Sequence, residues 1–179
     1  MAVQVQGVCH DTLPWLISIS LGLMIHAFLA CQLFVVVFIA LHDWIPLGKP
    51  NNLEGVRAAD TTRKRIVATS LSTLPFAIAF VASACYAKLG FPHWLLWLLW
   101  LSYGAGAYGI LRSWWVPYLF VNNPVRADRY QVRFARTHAF LPERNGIRPD
   151  TLHVVFHAVF VVALILLGLL SFSNRAFAL

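Results

Sequence analysis

The sequence predicts an all-α integral membrane protein, a bundle of four transmembrane helices forming one domain over residues 1–179. Three observations support this fold class. Apolar residues make up 59% of the chain and charged residues only 12%, whereas an ordinary soluble domain has about 25% charged residues. The apolar residues also gather into four long runs. These features exclude a water-soluble globule, which needs more charge to cover its surface, and a disordered chain, which is poor in aromatic residues.

The four runs predict helices over residues 13–41, 66–87, 93–116 and 151–171. A bilayer core of roughly 30 Å is crossed by about 20 helical residues, so each run crosses it once. Pro117 is expected to end the third helix, because proline disrupts a helix interior. The remaining long segments, 42–65 and 117–150, are predicted to be loops on one side of the membrane.

The distribution of basic residues predicts the orientation. Of the 14 Lys and Arg residues, five lie between the first two helices and seven between Arg112 and Arg148. The positive-inside rule then places both loops in the cytoplasm and both termini outside, in a multi-pass protein of the cell (inner) membrane. The net charge of +7 would face an anionic leaflet. We expect no nucleic-acid partner, because membrane insertion alone accounts for this charge bias.

A row of arginines precedes the fourth helix. Arg126, Arg129, Arg133 and Arg136 are spaced by three and four residues, which places them on one face of a helix. The pattern predicts a short cytoplasmic interfacial helix whose guanidinium groups bind the phosphates of anionic lipid headgroups. Three alternatives stay open: non-specific anchoring to the leaflet, recognition of one phosphate-bearing lipid, and contact with an acidic partner, such as another membrane subunit or a second copy.

A set of histidines predicts a metal site at the same face. His153 and His157 are four residues apart on the fourth helix, so both imidazoles project from one side. His42, Asp43 and His138 belong to the same cytoplasmic end. Imidazoles with one carboxylate suit one zinc or iron ion. The alternative is that these histidines only cap helices or bind lipid phosphate and backbone carbonyls.

His26 is the intramembrane polar residue of the first helix. It continues a stripe with Ser18 and Gly22, so we expect it to face the bundle, either as a packing residue or on a proton or small-solute pathway. Haem is not expected, because His26 and His157 differ in depth by roughly 12 Å at 1.5 Å per helical residue.

These patterns favour a non-catalytic structural, accessory or lipid- and partner-interacting membrane protein with a basic cytoplasmic face. One alternative is a membrane-embedded metalloenzyme that acts on a lipid at that face with His-bound metal. A second is a small-solute or proton pathway through His26. The sequence has no Walker loop, no GxSxG and no CxxC, so nucleotide hydrolysis and serine-dependent acyl transfer have no support. Whether the protein is an enzyme stays open.

Overall fold

The computed structural model describes residues 12–134 and 136–176, with side chains from residue 19 to residue 173, and all regular elements within these ranges are helical. The helices are α1 (Thr12–Leu41), α2 (Leu53–Ala59), α3 (Thr62–Tyr86), α4 (His93–Ile110), a π-helical segment (Leu111–Trp115), α5 (Val116–Phe120), α6 (Pro124–Phe134) and α7 (Thr151–Ala176).

Four of these stretches are long and apolar enough to cross a membrane, as the sequence predicts: Ile19–Leu41, Thr62–Tyr86, His93–Phe120 and Thr151–Ser173. The protein is therefore described as a multi-pass membrane protein. Residues 1–11 and 177–179, which bear on the predicted outside position of the termini, lie outside the described residues. The orientation stays a prediction.

The four long helices form a closed ring. Helix α1 packs against α3 and α7, and α4 closes the ring by packing against the same two helices. Aromatic residues fill the interior, with Phe28, Tyr103 and Phe160 almost fully buried. The outer surface is also apolar, with Trp97 and Leu101 highly exposed. An apolar exterior around a packed interior is what a bundle surrounded by lipid requires.

Close packing at the centre of the ring depends on Gly106. A Cβ atom at this position would lie 2.6 Å from Phe160 Cζ and 2.8 Å from Phe76 Cζ. Both rings are buried, so moving either one would disturb its packed neighbours. We expect Gly106→Ala to lower the free energy of unfolding by about 1–3 kcal/mol, the usual cost of overfilling a packed interior.

Gly104 supplies the matched control for that measurement. It lies on the same helix, but a Cβ there meets nothing within 4 Å. Gly104→Ala should leave stability unchanged or raise it slightly, because alanine favours the helix by up to about 1 kcal/mol. Thermal unfolding in one detergent compares the two variants, and equal unfolding temperatures would contradict the packing argument.

The prediction that the third spanning helix ends before Pro117 is wrong. The helix continues through the π segment Leu111–Trp115 to Phe120, and the backbone N–H of Val116 donates to the carbonyl of Leu111, five residues back. Proline has no backbone N–H to donate. One of the carbonyls before it, Ser113 O in an α register or Arg112 O in a π register, therefore lacks the donor that a residue with a backbone N–H would supply. A local π turn accommodates this loss without ending the helix.

Two carbonyls of the π segment accept hydrogen bonds from α6. Arg126 Nη1 donates to Arg112 O at 2.9 Å, and the Tyr130 hydroxyl donates to Ser113 O. Burial raises the pKa of Tyr130 to about 12, with the charge of Arg126 opposing, so the hydroxyl keeps its proton. The predicted helix in this loop thus exists as α6, held against the π segment, while its place at the membrane interface stays a prediction.

The predicted loop 42–65 also contains a helix, α2, which the sequence analysis does not anticipate. Asn52 caps α2 by accepting a hydrogen bond from Gly55 N at 3.1 Å. Helices α2 and α6 cross so closely that a Cβ on Gly55 would overlap the carbonyl oxygen of Val132. The two connecting segments therefore pack on each other at one end of the bundle.

Candidate functional site

A cavity of about 820 Å³ lies where the two connecting segments meet the bundle. Its walls come from the end of α1, from α2, the start of α3, the π segment, α6 and the first turn of α7. Residues of both predicted sites line it: His42, Asp43 and His153 of the histidine set, and Arg129 and Arg133 of the arginine row. The fold thus brings together two groups that the sequence analysis treats separately.

Asp150 fixes the position of His153 in the wall of this cavity. Asp150 is only 1% exposed, and its Oδ1 accepts a hydrogen bond from His153 N at 3.0 Å, which caps α7. Its Oδ2 lies 2.7 Å from His153 Nδ1. A helix N-terminus carries partial positive charge, which attracts the carboxylate of Asp150. Since Nδ1 faces Asp150, the Nε2 edge of the imidazole is left for other partners.

His42 lies beside His153, with ring centroids 5.4 Å apart. Its Nδ1 is 2.9 Å from Phe38 O, to which it donates, and its Nε2 is 3.4 Å from Asp43 Oδ1. Burial lowers the pKa of His42 below its ordinary value; the Asp43 carboxylate opposes this shift and the neighbouring His153 reinforces it. His42 therefore adds little positive charge to the cavity at neutral pH.

The predicted metal-site residues are only partly brought together. His157 is buried next to His153, with ring centroids 6.3 Å apart, and its Nδ1 has no hydrogen-bond partner within the described chain. His138 lies apart, exposed, with Nδ1 2.8 Å from Thr151 Oγ1. Over the described ranges, no group of three or more His, Cys, Asp and Glu side chains could hold a metal ion. The metal centre stays a prediction, without support from this geometry.

Three of the four predicted phosphate-binding arginines contact protein partners. Arg126 binds a backbone carbonyl, as described above. Arg133 forms an ion pair with the buried carboxylate of Asp60, and Arg136 lies past the end of α6 with its Nη1 3.2 Å from Glu54 Oε2. Protein partners thus occupy three of the arginines, and lipid binding by the row stays a prediction.

Arg129 is the member of the row that remains available. It is exposed and lines the cavity. Among the described residues it has no hydrogen-bond or ion-pair partner.

Arg65 lines the cavity. From the sequence it was recognised only as one of the basic residues that predict the orientation in the membrane. It is 7% exposed, its Nη2 donates to Asp43 O at 2.7 Å, and its guanidinium carbon lies 4.2 Å from the centre of the Trp44 ring. Its Nε is buried without a partner, and no carboxylate within the described ranges forms an ion pair with it. The sequence feature that could have indicated this role is its position, because Arg65 is a cation directly before an apolar run.

The expectation that His26 faces the bundle is wrong. His26 is on the exposed side of α1, where its Nδ1 donates to Gly22 O at 2.7 Å. The buried side of α1 carries Phe28 and Gln32 instead, and Gln32, 0% exposed, donates to Ser83 Oγ at 3.2 Å. A transmembrane helix is apolar all round, so small residues alone do not mark its inner side. The pathway hypothesis gains no support from the position of His26.

No protein-family model, curated protein or solved structure matches this chain. The residues that line the cavity are therefore the basis on which its function is inferred.

Proposed function

We propose that this protein is a non-catalytic, multi-pass membrane protein that binds the anionic headgroup of a membrane amphiphile in the cavity at the end of its bundle. The buried cation of Arg65 is the observation that supports this most directly. A buried charge without an opposite charge costs several kcal/mol. An anion bound in the cavity would offset that cost.

Arg129 provides a second contact for the same anion. Its guanidinium is exposed in the cavity wall and free of protein partners within the described chain. Guanidinium groups bind phosphate and carboxylate oxygens through paired N–H donors. Arg65 and Arg129 belong to different walls of the cavity, α3 and α6, so an anion between them would also connect the connecting segments to the bundle.

The shape of the cavity favours an amphiphile over a soluble anion. Its α3 wall runs from Lys64 through Ala68 to Ser72, which at 1.5 Å per residue is about 12 Å along a stretch that can cross a membrane. Ala68 and Ser72 are exposed. A headgroup at the charged end would therefore have its apolar chain beside α3. The positive-inside rule supports a cytoplasmic position for this end, in the cell (inner) membrane.

The test is lipid binding by purified protein, measured by native mass spectrometry with phosphatidylcholine, phosphatidylglycerol or phosphatidic acid added to the detergent solution. We expect the anionic lipids to bind in preference to phosphatidylcholine. Arg129→Gln should weaken the binding of phosphatidic acid about tenfold, a loss of about 1.4 kcal/mol, because it removes a charge-assisted contact.

Arg63→Gln is the matched control. Arg63 is an exposed arginine of the first turn of α3 and does not line the cavity, so its replacement changes net charge equally and should leave lipid binding unchanged. Equal weakening in both variants would indicate general attraction to a basic surface and would overturn the proposal. So would equal binding of phosphatidylcholine and the anionic lipids by the unaltered protein.

A further inference from the structure

The charges in the cavity wall are unequal in number. The wall contains four cationic side chains, those of Lys64, Arg65, Arg129 and Arg133. It contains two carboxylates, those of Asp43 and Asp60. Two positive charges are therefore left without an opposite charge in the wall. Because burial keeps His42 mostly neutral, that residue changes this excess little.

Ion pairing leaves the two arginines already described without a carboxylate partner. The Asp60 carboxylate is nearly buried and is shared by Lys64 Nζ at 2.5 Å and by Arg133. Lys64 and Arg133 are thus held by a protein carboxylate. Arg65 and Arg129 have no such partner among the described residues. Asp43 contacts Arg65 through its backbone oxygen, and its carboxylate lies beside His42 instead.

We infer that the anion bound here is a phosphomonoester dianion, as in phosphatidic acid, and not a phosphodiester or a carboxylate. This inference rests on the proposed function. A phosphomonoester carries a charge of about −1.5 to −2 at pH 7 and three acceptor oxygens. A phosphodiester or carboxylate carries a single charge, which would leave one of the two cations uncompensated. Two guanidinium groups on separate walls can each donate to a different oxygen pair of one phosphate.

The size of the cavity is consistent with this ligand. Its volume of about 820 Å³ lies within the range of roughly 300–1,000 Å³ typical of small-molecule sites. Phosphomonoesters also occur as free ions, so a lipid phosphomonoester and inorganic phosphate share the chemistry that the arginines recognise. The α3 wall is what would distinguish them, because only the lipid can occupy it.

The experiment compares the affinities of the purified protein for phosphatidic acid, phosphatidylglycerol, oleate and inorganic phosphate at pH 7 and constant salt. We expect phosphatidic acid to bind about tenfold more tightly than phosphatidylglycerol or oleate, equivalent to about 1.4 kcal/mol. Inorganic phosphate should bind more weakly than phosphatidic acid.

The selectivity should depend on the number of free cations. Arg129→Gln leaves one free cation, so phosphatidic acid and phosphatidylglycerol should bind with about equal affinity. Arg129→Lys retains the charge and should retain most of the preference, although it loses the paired donors. A preference unchanged in Arg129→Gln would overturn the inference.

The remaining outcomes separate the two proposals. Equal affinity for phosphatidic acid, phosphatidylglycerol and oleate, all above phosphatidylcholine, would overturn the dianion inference and keep the proposed function. Affinity for none of the anionic lipids above phosphatidylcholine would overturn both. Inorganic phosphate binding as tightly as phosphatidic acid would support a dianion site and contradict the amphiphile.

Discussion

Asp150→Ala should lower the free energy of unfolding by about 2–4 kcal/mol, the largest stability change we expect from a single substitution. Asp150 is almost fully buried and forms hydrogen bonds to both the backbone N–H and the ring of His153. Alanine removes the helix cap, worth about 0.5–2 kcal/mol, and leaves a half-buried imidazole N–H without an acceptor, which costs about 1–3 kcal/mol.

Asp150→Asn separates the two contributions, because asparagine still caps a helix but carries no charge. Its free energy of unfolding, measured by heat or denaturant, should lie between that of the unaltered protein and that of Asp150→Ala. Asp128→Ala is the control, since Asp128 is exposed on α6 and should change stability by less than about 0.5 kcal/mol. If Asp150→Ala unfolds at the same temperature as Asp128→Ala, the buried carboxylate does not position α7.

Arg65→Met should weaken ligand binding and leave the stability of the ligand-free protein nearly unchanged. Methionine has a similar length and no charge, so the affinity for phosphatidic acid should fall about 30-fold, or about 2 kcal/mol, which lies within the range for a hydrogen bond to a charged group. The ligand-free protein should be as stable as the unaltered protein to within about 1 kcal/mol, because replacing a buried charge by an apolar side chain removes its desolvation cost.

Two measurements on the same sample check this prediction: thermal unfolding without lipid, and unfolding with phosphatidic acid added. A ligand that binds only the folded state raises its stability, so added lipid should stabilise the unaltered protein and not Arg65→Met. Arg57→Met, at an exposed position on α2 outside the cavity, should respond to lipid as the unaltered protein does. A loss of several kcal/mol in lipid-free Arg65→Met would show instead that Arg65 has a structural role through Trp44 and Asp43.

The number and approximate ends of the spanning helices could be predicted because the hydropathy of about 20 consecutive residues decides them. The inner side of each helix could not. In lipid, the outer face of a helix is as apolar as the inner face, so the periodicity that marks a buried side in soluble proteins is missing. His26 and Gln32 show the result: the sequence pattern favours the first as the inward residue, and the fold buries the second.

The candidate site was predictable in its parts but not in its assembly. Charge and spacing single out the arginine row and the histidines, since both are local patterns. The pairing of Arg133 with Asp60 joins residues 73 positions apart in the chain, and no local pattern contains it. The exceptional position of Arg65 likewise follows from what surrounds it after folding, because its neighbours Arg63 and Lys64 have similar sequence environments and are exposed.

The π segment lies within a spanning helix, but it helps to determine the shape of the binding surface. Two of its carbonyls accept hydrogen bonds from Arg126 and Tyr130 of α6, and α6 also carries Arg129, one residue before Tyr130. Selection acting on that surface would thus extend to Pro117, because a residue with a backbone N–H there would compete with α6 for one of these acceptors. A substitution that makes the spanning helix more regular would therefore weaken the binding of the anion.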